Sequence, residues 1–569
     1  MVYHQQTLSR LTGMIKIVIF MSIIELTQIN APIDFSDPEV KRRCVMAGWD
    51  LDGDGEISYA EAALVKDIGC IFSEVCEENN YKGTRIQSFN EFQYFIGIES
   101  IPDSAFASCL SLRSIELPCT VKSIGNYAFE STGIKCLSLP DGLIKIGERA
   151  FENSELETIN IPESIQTIRN NPFLNCINLK CFEGKYASMD GRCLIDGVTI
   201  IAFAPYELKE YTLPNMVEHL GYGVFSNSHL SALRLPVSLR SIGEYALNNF
   251  EGVLYINSNI EDGWFTLNNI STVIFGAEVT EVGNYLSGSY NLENVVFESP
   301  DRIISIQDGA FSHCASLRQI KLPPNLERLG KGVFENSGLT SLQIPDGIVS
   351  LPDRLCAGCK NLTNIILGEK TKEIGALCFA DCYSLNKIVI PLGVTTIGDG
   401  AFADCLKLQE VSLPDTLEVI NDDAFIRCEN IINLCLPESL KKIGKLAFFG
   451  CTRVRSISFP LSSSLLIDEN AFSKCGVPAV TTNIDDTELL IHYIEKHVFG
   501  HIGTYPFVES PIAERYRKRV AALKKEQAKQ KTQRNYYDII NEEELRREMI
   551  EDGIAEAFNS DDSSRWNID

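Results

Sequence analysis

Ile397-Gly398-Asp-Gly-Ala401-Phe402-Ala-Asp-Cys405-Leu-Lys-Leu408-Gln-Glu-Val411-Ser-Leu413-Pro414 decides the fold, because the chain repeats it. Aligned on the aromatic, Phe379, Phe402, Phe425, Phe448 and Phe472 are separated by 23, 23, 23 and 24 residues. Earlier, Phe106, Phe129, Phe151 and Phe173 are separated by 23, 22 and 22. A fixed period of this length marks a solenoid, in which each unit is one coil that cannot bury its apolar side alone and stacks on its neighbours. About sixteen coils fit between Phe106 and Phe472.

Each part of the unit has a physical task. Leu-x-x-Ile-x-Leu, as in Leu385, Ile388 and Ile390, is too short for a helix and alternates at its end, so it reads as one parallel strand per coil with those residues inward. Proline follows, where a missing N–H ends a ladder without harm. The glycine of Ile-Gly reads as a tight bend between coil sides, and the repeated phenylalanine fills the interior. Two stretches leave the register. Residues 181–205 read as an inserted hairpin with turns at Asp190-Gly191 and Asp196-Gly197. From 253 to 297 the unit degrades, with Phe265 and Leu286 standing where phenylalanine is expected.

The Ile-Gly-x-x-Ala-Phe-x-x-Cys-x-x-Leu unit resembles the BspA-type leucine-rich repeat of bacterial surface antigens over residues 101–476, and the Trp49-Asp-x-Asp-Gly-Asp-Gly opening resembles that family's N-terminal module. The resemblance implies a right-handed parallel-strand solenoid, exported or surface-attached, acting in adhesion or host interaction, without catalytic residues. No anchor or sorting segment of that kind is recognised at the carboxyl end.

The sharpest chemical signal is residues 50–61, Asp-Leu-Asp-Gly-Asp-Gly-Glu-Ile-Ser-Tyr-Ala-Glu. Every ligand position of the twelve-residue EF-hand loop is filled. Asp50, Asp52 and Asp54 supply carboxylate oxygens, Glu56 its backbone carbonyl, Ser58 a direct or water-mediated oxygen, and Glu61 a bidentate closure around Ca2+. Gly55 permits the sharp turn. Helices are expected from Asp37-Pro38 to Met46 and from Ser58 to Val65. Ile57 stands where a partner loop would pair, yet no second loop is evident, so the ion is expected to brace local structure as in dockerin-like modules.

Nine of nineteen cysteines, from Cys109 to Cys475, fall three residues after the phenylalanine position. Stacked in successive coils they would stand near the strand spacing of about 4.8 Å, wider than a disulfide's Cβ separation, so they read as buried apolar fillers. Cys356-Ala-Gly-Cys359 has no second pair to make zinc persuasive, and His492, His497 and His501 lack a metalloprotease order. No nucleophile elbow or phosphate loop is present. The fifth residue of Leu-x-x-Ile-x-Leu faces outward along the sheet. It is mostly polar, but Ile274 with Val296 and Ile366 with Val389 form apolar steps that mark a candidate ligand surface.

The net charge of −25 repels nucleic acid. No apolar run reaches the roughly 20 residues needed to cross a bilayer. The expected organisation is a leader over 1–32, an EF-hand cap over 33–100, the mainly β solenoid over 101–476, a cap over 477–510, and a charged helical tail over 511–569 ending in disorder. The chain is expected to be a binding scaffold for a protein or glycan, secreted or on the cell surface. A cytoplasmic interaction scaffold and an enzyme with a site at the inserts are the alternatives.

Overall fold

The structure is a computed structural model that describes residues 29–74, 85–260, 267, 269–458, 465–468, 470–476 and the backbone of 479–481. Residues 1–28 of the expected leader, Phe265, the three histidines, the expected cap apart from 479–481, and the charged tail lie outside the described residues.

About sixteen coils stack into a mainly β solenoid. The expected strand is present as parallel ladders, for example Lys387–Val389 with Glu410–Ser412, Ile388 facing Val411 in register. Five such strands, from Glu210–Thr212 to Asn294–Phe297, form the widest sheet on this side. Each regular coil adds a second, two-residue strand that ends on the isoleucine of Ile-Gly. Six of these, Ser350–Leu351 through Leu466–Ile467, make a continuous ladder. Ile374, Ile397, Ile420 and Ile443 stand opposite one another in it and are all buried. Two residues carry only one inward side chain, too few to show as an alternating pattern.

The glycine after that isoleucine acts differently from the expected tight bend. Its φ lies outside the left-handed region, but a methyl at Gly398 would sit 2.7 Å from the Ala376 nitrogen and 2.8 Å from the Ile374 oxygen. It is glycine because the preceding coil's backbone approaches too closely for any side chain. The left-handed positions lie two residues either side of the phenylalanine, as at Gly400 and Asp404 around Phe402, with φ of 58° and 59°. Leu377 and Asp381 repeat them around Phe379. That geometry is costly for residues with a Cβ, which favours the glycine, asparagine, aspartate and serine found at many of these positions, yet Tyr127, Arg149, Leu377, Arg427 and Leu446 adopt it too.

The rings stack face to face: successive centroids from Phe402 to Phe472 are 5.1–5.2 Å apart with interplanar angles of 1–7°. A second run from Phe106 to Phe173 does the same at 5.2–5.4 Å, and Phe72 extends it at 5.5 Å. Between the two runs the apolar interior divides into two clusters that meet at the insert. There Cys193–Asp196 pairs antiparallel with Thr199–Phe203 across Gly197-Val198, and Gly197 takes a φ of 61°. Thr199 and Ile200 then rejoin the parallel ladder beside His219–Leu220. Asp190 fixes the other turn by accepting from Ser188 Oγ, the Arg192 amide and Tyr211 Oη.

Candidate functional site

Two places collect the residues singled out above. The first is the N-terminal acidic loop. Helix α1 (Pro38–Met46) begins at Asp37, whose Oδ1 accepts from the Glu39 amide, with proline at the first helical position where no N–H is needed. Helix α2 (Tyr59–Leu64) begins at Ser58 with a reciprocal capping box to Glu61. Between them Asp50 accepts from the amides of Gly53 (2.7 Å) and Gly55 (2.9 Å), Asp52 from Asp54 and Asp54 from Glu56. These bonds curl the loop inward. One oxygen each from Asp50, Asp52 and Asp54 lies within 4.8 Å of the others.

Glu61 closes the loop from the far side. It is buried and accepts from the amides of Leu51 (2.7 Å) and Ser58 (2.8 Å). Burial raises its carboxyl, but the hydrogen bonds from Ser58, Leu51 and Asp52 outweigh that and hold it below the ordinary range. The Asp54 amide draws Asp52 down, yet the loss of water and the charges of Asp54, Glu61 and Asp50 outweigh it, so that carboxyl is raised. Like charges so arranged favour a cation. The Glu56 side chain pairs with Lys41, and its carbonyl accepts no backbone hydrogen bond among the described residues. Asp50, Asp52, Asp54, the Glu56 carbonyl, Ser58 and Glu61 are hard oxygen donors of the kind calcium takes.

Ile57 finds its partner upstream. Its carbonyl accepts from the Ile33 amide at 2.8 Å, and Pro32 and Ser58 form an antiparallel bridge. A single strand-like segment just before α1 thus takes the place of a second loop. Sequence reading missed it because Ala31-Pro-Ile33 carries no loop signature.

The second place is the exposed face of the longer strands. Ile274 and Val296 are register partners, the first half-buried and the second 46% exposed. Ile366 and Val389 are more than half exposed, but no ladder joins Asn364–Ile366 to Lys387–Val389. Val296 and Ile366 instead lie at opposite ends of an open groove of about 690 Å³, with Lys321 and Gln343 of the two intervening coils between them. Its floor includes residues 319–322, which form no strand and make no backbone hydrogen bond to either neighbouring coil among the described residues. The ladder therefore stops after Asn294–Phe297 and resumes at Ser341–Gln343.

The nine ladder cysteines are free and buried. Each thiol donates to the carbonyl of the residue in the phenylalanine position one coil earlier, as Cys405 does to Phe379 (3.2 Å) and Cys428 to Phe402 (3.0 Å). Cys356 takes the phenylalanine position itself, its amide donating to Cys378 as Phe402 donates to Ala424. Among the described residues only the three aspartates gather closely enough to form a metal-ligand group, so Cys356 and Cys359 build no zinc cage. Cys70 is disulfide-bonded, which the cysteine spacing did not foretell.

The family described as BspA type leucine rich repeat region matches residues 78–188, 197–293, 286–406 and 372–502. Among solved structures, a leucine-rich repeat protein from Bacteroides ovatus is 22% identical, with 66% of this chain and 82% of that one covered and a TM-score of 0.34. The pneumococcal vaccine antigen PcpA is 19% identical over 63% of this chain and 86% of its own, with a TM-score of 0.31. A leucine-rich cell surface protein from Faecalibacterium prausnitzii is 18% identical over 55% and 94%, with a TM-score of 0.28. No curated protein matches. With repeat matches running through most of its length and the same unit visible coil after coil, the chain belongs to the BspA-type leucine-rich repeat family.

Proposed function

We propose that this protein is a non-catalytic binding scaffold, secreted or held at the cell surface, that grips a protein or glycan across the strand face between Val296 and Ile366 while calcium braces its N-terminal module. The groove carries the reading: a contiguous recess with apolar ends and polar middle is the form of a partner site. Catalysis would need convergent titratable groups, and the groove lining offers only Lys321 and Asp346. No helix among the described residues is long and apolar enough to cross a membrane.

The test is capture of ligands by the full chain from an array of free oligosaccharides and a panel of immobilised extracellular proteins, with the double variant Val296→Glu/Ile366→Glu alongside. Both side chains are exposed, so the fold should survive. A ligand that binds the wild type and loses at least ten-fold in the variant supports the groove, and undiminished binding places the interface elsewhere.

For calcium, an ion bound at a hundred times its dissociation constant would stabilise the module by about 2.7 kcal/mol. The melting transition of residues 33–100 should rise with calcium, fall in chelator, and lose this response in Asp50→Asn. A calcium-indifferent melt rejects the loop as a site.

A cytoplasmic scaffold is the second reading, favoured by seventeen free cysteines, whereas the Cys70 disulfide favours an oxidising compartment. The mature N-terminus, read by mass spectrometry, separates the two.

A further inference from the structure

The longer strands carry an outward row that continues beyond the groove. Thr212, Arg234, Tyr255, Ile274 and Val296 stand opposite one another in register across the five-stranded sheet, and Lys321 follows in the next coil, inside the groove. Arg234 sits over the Tyr255 ring, its guanidinium carbon 3.5 Å from the centroid. The contact holds a long side chain in one place while its planar fork of N–H donors stays at the half-exposed face. That guanidinium makes no hydrogen bond or ion pair among the described residues. Lys321 is exposed and has no ion-pair partner among them either.

The charge around the two cations departs from the rest of the chain. Of 76 aspartates and glutamates, none stands in a strand of this side from Ala232–Arg234 to Lys387–Val389, nor in 319–322. Glu210 in the strand before stands opposite Ala232 and forms no ion pair. Asp346 lies past the end of its own strand, where it accepts from the Glu369 amide. A face that presents cations without carboxylates, on a chain of net charge −25, is complementary to an anion. The guanidinium fork matches both oxygens of a carboxylate.

Between Arg234 and Lys321 the row passes over the aliphatic Ile274 and Val296. A sugar acid laid across them would lose water from its hydroxyls against side chains that return no hydrogen bond, whereas a polypeptide can set apolar side chains there. From Arg234 through Tyr255, Ile274 and Val296 to Lys321 is about 19 Å at ordinary strand spacing. That is about six residues of extended chain.

We infer that Arg234 is a carboxylate anchor and that the row from Arg234 to Lys321 takes an acidic segment of a protein partner, one carboxylate on each cation and apolar side chains between. The inference rests on the strand face being a partner site; it carries that site past the groove to Arg234 and names the occupant.

The probe is an acetylated and amidated heptapeptide with glutamate at both ends, leucine at its third and fifth positions and serine elsewhere, which in an extended chain puts the glutamates and leucines on one side. Its binding to the full chain is followed by calorimetry beside a copy with glutamine for glutamate. The expected result is saturable binding, at least ten-fold weaker for the glutamine copy and at least ten-fold weaker in Arg234→Gln. Arg234→Lys, which keeps the charge but not the planar fork, should lose at least three-fold, a loss that diffuse attraction to positive charge would not give. Thr212→Glu, exposed and opposite Arg234, offers the guanidinium a carboxylate of the chain's own and should weaken the peptide at least ten-fold, so it holds the test if an Arg234 variant unfolds. Absence of saturable binding, equal binding of the two peptides, or affinity unchanged in both Arg234→Gln and Thr212→Glu overturns the inference. So does Arg234-dependent binding of a galacturonate oligomer by a chain that ignores the peptide. Ile366→Glu, at the groove's far end and outside the row, should leave peptide binding unaltered. Ligands that are lost in Val296→Glu/Ile366→Glu but indifferent to Arg234→Gln would keep the groove and remove the anchor, so the two failures are distinguishable.

Discussion

Coils around Phe379 to Phe472 and coils around Leu247 to residue 322 are built from one repeating unit, but they are held together differently. In the first group the rings stack at 5.1–5.3 Å, and Cys405, Cys428, Cys451 and Cys475 each tie a thiol to the coil before. The ladder of two-residue strands runs through them unbroken. In the second group Leu247 and Leu286 replace the rings, and the hydroxyls of Ser258 and Ser289 are buried without partners. On the longer-strand side residues 319–322 form no strand at all, whereas each coil from Lys387–Val389 to Ser456–Ser458 keeps one, although Glu410–Ser412 and Asn433–Cys435 are not paired with each other. Regularity supplies cohesion, and relaxing it leaves a recess on the face. The groove begins where the repeat stops obeying its own pattern.

The widest separation between the groups should come from truncating the phenylalanine position. Phe425 is fully buried between two parallel rings, so Phe425→Ala should cost about 3–5 kcal/mol, with little room for its neighbours to close in. Leu286→Ala should cost about 2–3 kcal/mol, because fewer atoms are removed and no ring stack is interrupted. Urea unfolding gives the totals, and hydrogen exchange shows whether the loss stays with adjacent coils, as nearest-neighbour stability requires. Equal losses at the two sites would mean that the stack adds nothing to ordinary burial.

Alkali probes the thiols. Burial, the dominant cause, pushes Cys109, Cys176 and Cys314 up to about 12 from an ordinary value of 9.0. Between these limits the unfolded thiol has lost its proton and the folded one has not, so their stabilising contribution is whole below pH 9 and falls as pH rises toward 12. Each such thiol removes about 1.4 kcal/mol per pH unit in that window. Urea midpoints measured from pH 8 to 11 should fall faster for the wild type than for Cys314→Ala. Parallel curves would show that these thiols do not govern alkaline unfolding.

Much of this contrast could be read beforehand. The period, the inward residues and the cysteine positions follow from side-chain size repeated at fixed intervals, which is visible in one dimension. The acidic loop proposed for calcium could be singled out because its candidate ligands lie within twelve consecutive residues. The role of the Ile-Gly glycine was not, since the backbone that excludes its Cβ belongs to the coil before. Nor was the groove: residues 318–323, Arg-Gln-Ile-Lys-Leu-Pro, have the same pattern as paired strands, and only the missing hydrogen bonds distinguish them.

The smallest effect addresses why cysteine recurs where serine is nearly the same size. Ser289 stands three residues after Leu286, in the ladder position, fully buried, with its amide bonded to the Leu286 carbonyl and its hydroxyl unpaired. A hydroxyl loses strong hydrogen bonds to water on burial, whereas a thiol loses little and packs as an apolar group. Ser289→Cys should therefore gain about 1 kcal/mol in urea unfolding, while the reverse change, Cys405→Ser, should lose a similar amount. Ser289→Ala separates the causes, because it removes the orphan hydroxyl without supplying bulk or a donor. If alanine gains as much as cysteine, the ladder thiols matter only by being apolar; if cysteine gains more, their hydrogen bonds to the preceding coil contribute to holding the regular coils together.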